Sequence, residues 1–238
     1  MSRIRVILLK EWKESLRNKM ILFGAIFLPL FMTGAATVMV YQGRDLQVAA
    51  GRIALFNTAL MYFLILPAVV PLAIAAYSII GEKEQGSLEP LLATPISDLE
   101  LFLGKALSSV IPALAITWLS FGIFIGACIL LVGGIPPHVL TAPWIAAIFG
   151  LSPLLSLFSV GVTLLVSSRA TDARAAYQIS SLGIIPSIVP LIIYTSRRTL
   201  VSMWLIALEA SVVFVASVIV IYFAIRVFRR EQILTRWK

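Results

Sequence analysis

Charge is scarce in this 238-residue sequence: Asp, Glu, Lys and Arg make up 13% of it, about half the share of an ordinary soluble domain. Apolar residues make up 60%, more than a soluble fold of this length can bury while still covering its outside with polar groups. There is one cysteine, Cys128, inside an apolar run, which excludes a disulfide framework within the chain. There is one histidine, His138, in a Pro-rich turn where solvation is the expected role. One Cys and one His give no metal-ligand spacing, so no metal site, resident cofactor or catalytic residue is expected. Acids are scarcer than bases, 11 against 19, for a net charge of +8. In a soluble protein that excess would point to nucleic acid; here membrane topology accounts for it, and no nucleic-acid partner is expected.

What is abundant is uninterrupted apolar sequence. Residues 20–43 hold no charged side chain over 24 positions, 53–81 none over 29, and 106–168 none over 63, broken only by Gly133-Gly134-Ile135-Pro136-Pro137-His138. A hydrocarbon core about 30 Å thick takes roughly 20 helical residues per crossing. The expected fold class is therefore all-α and polytopic, with six transmembrane helices near 20–41, 54–80, 105–132, 144–168, 176–195 and 201–226. Nineteen polar-rich residues precede the first run, and that run exceeds a signal-peptide core, so the first crossing is expected to be retained.

Placing the N-terminus inside puts 15 of the 19 Lys and Arg on the cytoplasmic side and leaves Arg44, Arg52, Arg197 and Arg198 outside. That asymmetry predicts both termini in the cytoplasm. Tyr41, Trp144, Tyr194 and Trp204 fall at predicted outer ends, and Tyr77 and Tyr177 at inner ends, as an aromatic belt requires. Trp118 falls mid-span and is expected to pack instead. No outer loop is long enough to fold as a domain, so the work is expected within the bilayer or at its cytoplasmic face.

Residues 1–19 form a first unit. At 100° per residue, Ile4, Leu8, Leu9, Trp12 and Leu16 share one arc, with Arg3, Lys10, Lys13, Glu14 and Arg17 opposite. Arg5 intrudes on the apolar arc, where its stem can snorkel. Such a basic amphipathic helix lies in the membrane interface, as an orientation anchor, as a contact to a cytoplasmic partner, or as both.

Residues 20–238 form the membrane unit, and its most informative stretch is 81–100, GEKEQGSLEPLLATPISDLE. Five acids against Lys83 give it a net charge of −4, contrary to the positive-inside trend. Ser87 can cap a helical turn carrying Leu88, Leu91 and Leu92, and Thr94-Pro95 ends it. Ser97-Asp98-Leu99-Glu100 reads as a capping box opening the third crossing. The product is a cytoplasmic knob with a leucine face and an acidic rim. That face needs cover, from the chain itself or from a groove on a separate soluble subunit. Gly81-x4-Gly86-Ser87 only mimics a phosphate-binding loop, which needs Lys-Ser/Thr after the second Gly and a strand before the first. Energy from ATP would have to arrive through another polypeptide.

The run GEKEQGSLEPLLATPISDLELFLGKAL resembles the signature of the ABC-2 type permeases, the membrane subunits of many prokaryotic ABC exporters, and the ending RVFRREQIL is similar to the sodium-extrusion and drug-export branches. The resemblance implies a permease in a prokaryotic plasma membrane, paired as a homodimer or a related heterodimer. Each chain would dock a cytoplasmic ABC ATPase subunit, which alone binds ATP and Mg, through a coupling helix between the second and third crossings. Carried over, Glu82, Glu84, Gly86, Leu88, Glu89, Leu91, Leu92, Thr94 and Pro95 form the docking element. The N-terminal helix becomes a connecting helix beside it. The family's re-entrant hairpin between the fifth and sixth crossings would fall at GIIPSIVPLIIYTSRRTL, where Pro186 and Pro190 suit a helix break.

Within the crossings, Glu209 is the one deep acid. It reads either as a pathway- or gate-facing carboxylate or as a structural group bonded to nearby Ser, Thr, Arg197 or Arg198. Pro112 marks a kink in the third crossing, a hinge or a static packing device. Gly122-x3-Gly126 offers a close helix approach. The alternative to an exporter permease is a secondary transporter driven by an ion gradient, which places ionisable pairs or broken helices at mid-membrane. A membrane scaffold is a third reading. The cargo is not written in the sequence.

Overall fold

The computed structural model describes residues 3–46, 49–84, 97–135, 139–170, 172–195 and 201–227. Among them there is no strand, and the helices are α1 (Arg3–Ser15), α2 (Lys19–Gly43), α3 (Ala49–Glu84), α4 (Asp98–Val132), α5 (Ala142–Ser167), α6 (Ala173–Thr195) and α7 (Met203–Val227). Five of them, α2, α3, α4, α5 and α7, are long and apolar enough to cross a membrane. The sixth expected crossing, 176–195, coincides with α6 but is not among those five.

The central helix is α3, which packs against α2, α4, α5 and α6. Its 36 residues span about 54 Å at 1.5 Å per residue, well beyond the hydrocarbon thickness. The 35 residues of α4 do the same. Glu82 lies near the C-terminal end of α3 and Lys105 in the N-terminal part of α4. The capping box is formed as the sequence predicts: the Glu100 N–H donates to Ser97 Oγ at 3.2 Å, and the Ser97 N–H donates to Glu100 Oε2 at 2.9 Å. At the far end α4 stops at Gly133, whose φ of 82° is the left-handed conformation that favours glycine.

Prolines inside helices are met by donors from neighbouring helices. Pro71 has no N–H for the carbonyl of Pro67, four residues earlier; Ser156 Oγ on α5 donates to that carbonyl at 3.0 Å. Ser159 Oγ donates to the next carbonyl, that of Ala68, at 2.6 Å. Residues Ala146–Leu151 of α5 are π-helical. Within that turn the Ile148 carbonyl accepts from Trp118 Nε1 at 3.1 Å and from Ser152 Oγ, so Trp118 packs between helices as expected.

Two expectations are corrected here. Trp144 stands at the start of α5 but does not face outward as a belt residue would: it is buried and stacks on Phe124, with ring centroids 6.4 Å apart, in an aromatic cluster with Phe63 and Phe121. Its place in the first turn of α5 turns it toward α4 rather than outward. Pro186 and Pro190 do not break α6, which is helical through both; a fixed φ near −65° is compatible with a helix, and membrane helices tolerate the missing donor. Among the described residues, no neighbouring helix comes within 4 Å of where a Cβ would stand on Gly122 or Gly126.

Candidate functional site

Helix α1 lies across these ends of α3 and α4. The sequence arc places Leu9 and Leu16 on the apolar face, but both are exposed, as is Val6. The side turned to the protein is Ile4, Ile7, Leu8, Glu11 and Trp12, with Ile7 and Glu11 fully buried. The helix is therefore rotated from the expected orientation, because a buried charge, Glu11, takes a place in the stripe that apolar residues alone define. The outward side carries Leu9 and Leu16 among Arg5, Lys13 and Arg17, the mix that suits a headgroup layer.

Glu11 is buried because its partner is. Lys105 on α4 has 0% of its surface exposed, and its Nζ donates to Glu11 Oε1 at 2.8 Å, to the Ser78 carbonyl at 2.8 Å and to Ser78 Oγ at 3.1 Å. The same ammonium lies 2.7 Å from Glu82 Oε2. Glu82 is 3% exposed and also takes an ion pair from Lys10 on α1. Lys10 in turn stands 3.6 Å from Glu14. Partial burial works against the Lys10 charge. The hydrogen bond that Lys10 donates to Glu82 and the charges of Glu82, Glu11 and Glu14 outweigh it, so the ammonium is held above its ordinary value.

The cluster thus joins three helices: Lys10 and Glu11 from α1, Ser78 and Glu82 from α3, and Lys105 from α4. Two cations face two buried carboxylates, with Glu14 at the rim. Burying such charges costs several kcal/mol per ion, and only close geometry with further hydrogen bonds offsets it. The return is a fixed register. An apolar layer beneath the ions, formed by Ile7, Ala75, Leu101, Phe102 and Ala106, keeps water out. Gly104 lets α1 come close: a Cβ there would stand 2.8 Å from Ile7 Cγ2. A second tether lies one turn along, where Trp12 Nε1 donates to the Ser108 carbonyl at 3.0 Å. That carbonyl lies four residues before Pro112, which offers it no N–H.

Of the residues assigned to docking, Glu82 is buried in this cluster and Glu84 is the last residue of α3. Gly86, Leu88, Glu89, Leu91, Leu92, Thr94 and Pro95 lie outside the described residues. Glu209 is buried on α7 between Ile206 and Val213, and its Oε1 has no hydrogen-bond partner among the described residues; Arg197 and Arg198 lie outside them. Sequence reasoning counted Lys105 only toward topology and left Glu11 unassigned. Only part of the signal was present: Glu11, next to Trp12 in the sequence, stands at the edge of the apolar arc of α1, and Lys105 is a lone cation after glycine in LFLGKALSS.

The structure so far defines a multi-pass helical membrane protein whose N-terminal helix is clamped onto the ends of its central helices. The sequence model of the ABC-2 family transporter proteins matches residues 5–201, and the chain belongs to that family, whose members are membrane transport subunits. No curated protein matches the chain.

Proposed function

We propose that the chain is the permease subunit of an ABC exporter, forming the export pathway in the plasma membrane with a second permease chain, identical or related, and driven by a separate cytoplasmic ATPase. The observation that carries this reading is the Lys105 cluster. Segment 85–96, whose leucines and Glu89 suit an ATPase groove, begins three residues after Glu82 in the sequence and ends ahead of the Ser97 cap of α4. Lys105 holds Glu82 and Glu11 together, so the two roots of that segment and α1 form one body. A push on the segment then reaches α3 and α4 together, and Pro112 is the first place beyond the cluster where α4 can bend. Glu209 and the proline-bearing α6 are the candidates for lining the pathway, and α6 supplies the sixth crossing.

The test is co-expression with a Walker-motif ATPase encoded beside this chain. The wild-type chain retains the ATPase through purification in detergent and stimulates its ATP hydrolysis. The pair Glu84→Lys and Leu91→Asp loses both. If the pair retains both, the docking assignment is wrong. Transport by proteoliposomes of this chain alone, driven by an ion gradient, would support the secondary-transporter reading instead.

A further inference from the structure

Between α1, α2 and α4 lies a cavity of about 480 Å³, bounded by Trp12 and Leu16 on α1, Ile21 and Ala25 on α2, and Pro112 and Ala115 on α4. Its walls are almost wholly apolar, and it belongs to no site described above. The volume falls in the range of ligand pockets, roughly 300–1,000 Å³. An apolar cavity without polar partners does not hold ordered water. It also sits where α1 meets two membrane helices, and its rim residues Leu16 and Ile26 are 67% and 56% exposed. The alanines at 25 and 115 keep it open.

The turn that joins its two walls is cationic. Arg17, Asn18 and Lys19 connect Leu16 to Ile21, and Arg17 and Lys19 are exposed. The acid nearest to them in sequence, Glu14, is turned to Lys10 at 3.6 Å. An apolar slot whose two walls are joined by a turn carrying two exposed cations matches one class of molecule in chemistry. We propose that this cavity binds an anionic phospholipid from the leaflet on which α1 lies, with an acyl chain against Trp12 and Pro112 and the phosphate at Arg17 and Lys19. The inference rests on α1 lying at the membrane surface and does not depend on the ATPase docking. Bound there, the chain wedges α1 against α4 beside the proline, so the lipid composition of that leaflet bears on how freely α4 bends.

Native mass spectrometry of the full-length chain, alone and with its ATPase partner, tests this with dioleoyl-phosphatidylglycerol, dioleoyl-phosphatidylcholine and glycerol phosphate as probes. The wild-type chain is expected to retain one phosphatidylglycerol per copy in preference to phosphatidylcholine. Juxtamembrane cations contribute about fivefold each, so Arg17→Gln with Lys19→Gln should weaken phosphatidylglycerol retention by roughly 25-fold and leave phosphatidylcholine unchanged. Ala115→Phe, and separately the milder Ala25→Leu, fill the cavity and should abolish retention of that lipid while helix content and ATPase co-purification persist. Equal retention of both lipids by the wild type, retention unchanged in both filled variants, or displacement of the lipid by glycerol phosphate alone overturns the proposal. So does a lipid-free dimer in which a second copy covers the cavity. Loss of ATPase co-purification in Glu84→Lys with Leu91→Asp reports on docking and leaves lipid retention unaffected.

Discussion

Trp12 donates its indole N–H to the Ser108 carbonyl at 3.0 Å, the carbonyl that Pro112 leaves without a helical donor. One side chain of the N-terminal helix thus completes the hydrogen bonding of a proline-bearing helix long and apolar enough to cross a membrane. If that is its role, Trp12→Phe should destabilise the chain by about 1–3 kcal/mol, the penalty for a buried polar group without a partner. Pro112→Ala restores a backbone N–H to Ser108, so Trp12→Phe should cost much less in that background. Thermal unfolding of the four combinations in detergent gives the coupling directly. Equal costs in both backgrounds would show that Trp12 contributes only packing.

The buried ion cluster makes a sharper forecast. Lys105→Met strands Glu11 in a dry site, while Glu82 keeps Lys10. Breaking a buried pair by removing one partner costs about 3–5 kcal/mol. Adding Glu11→Gln removes the stranded charge and should recover a large part of that loss. In the ATPase complex the double variant should bind the ATPase normally, because segment 85–96 is untouched, yet stimulate hydrolysis poorly, because Lys105 no longer ties α4 to α1 and α3, while Lys10 still joins α1 to α3. A double variant as well coupled as wild type would reduce the cluster to a structural feature.

Close approach at Gly104 can be tested by size alone. A Cβ there would lie 2.8 Å from Ile7 Cγ2 and 3.0 Å from Ile7 Cβ, and the second of these is not a flexible side-chain end that swings away. Gly104→Ala should therefore cost about 1–3 kcal/mol by overpacking, despite alanine's better helix propensity. Ile7→Ala, which trims the clashing atoms, should cancel part of that cost when combined with it. The readout is again the unfolding midpoint, and a stabilising Gly104→Ala would mean that α1 stands farther off than the structure places it.

How much of this was legible in the sequence follows from which physics is local. The capping box at Ser97 and Glu100 is a four-residue pattern, and it forms as read. The expected crossings near 20–41, 54–80, 105–132, 144–168 and 201–226 coincide with α2 to α5 and α7 for the same reason, since length and hydropathy decide a crossing. The rotation of α1 was not legible, because it depends on Lys105, 94 residues from Glu11. Trp144 was misplaced because helix position and inward facing are indistinguishable for an aromatic at the end of an apolar run. The prolines of α6 resemble breakers in isolation, yet the helix passes through both; whether a proline breaks a membrane helix is decided by what its neighbours supply. As for docking, the leucine-bearing segment lies outside the described residues, so its reading still rests on pattern and family.

The serines of α5 separate a repaired proline site from an ordinary contact. Ser156 and Ser159 both donate to carbonyls of α3, at 3.0 Å to Pro67 and 2.6 Å to Ala68. By bond length alone, Ser159 would be the more important. The backbone argues the reverse. The residue four positions after Pro67 is Pro71, which has no N–H, whereas the residue four positions after Ala68 is Leu72, which has one. Removing Ser156 therefore leaves a buried carbonyl with no donor, at about 1–3 kcal/mol, while removing Ser159 forfeits only a second bond, at about 0.5–1.5 kcal/mol. Ser156→Ala should lower the unfolding midpoint more than Ser159→Ala does, and Pro71→Ala should erase the difference between them. If Ser159→Ala proves the costlier in both backgrounds, distance rather than proline's missing donor governs how α5 is held to α3.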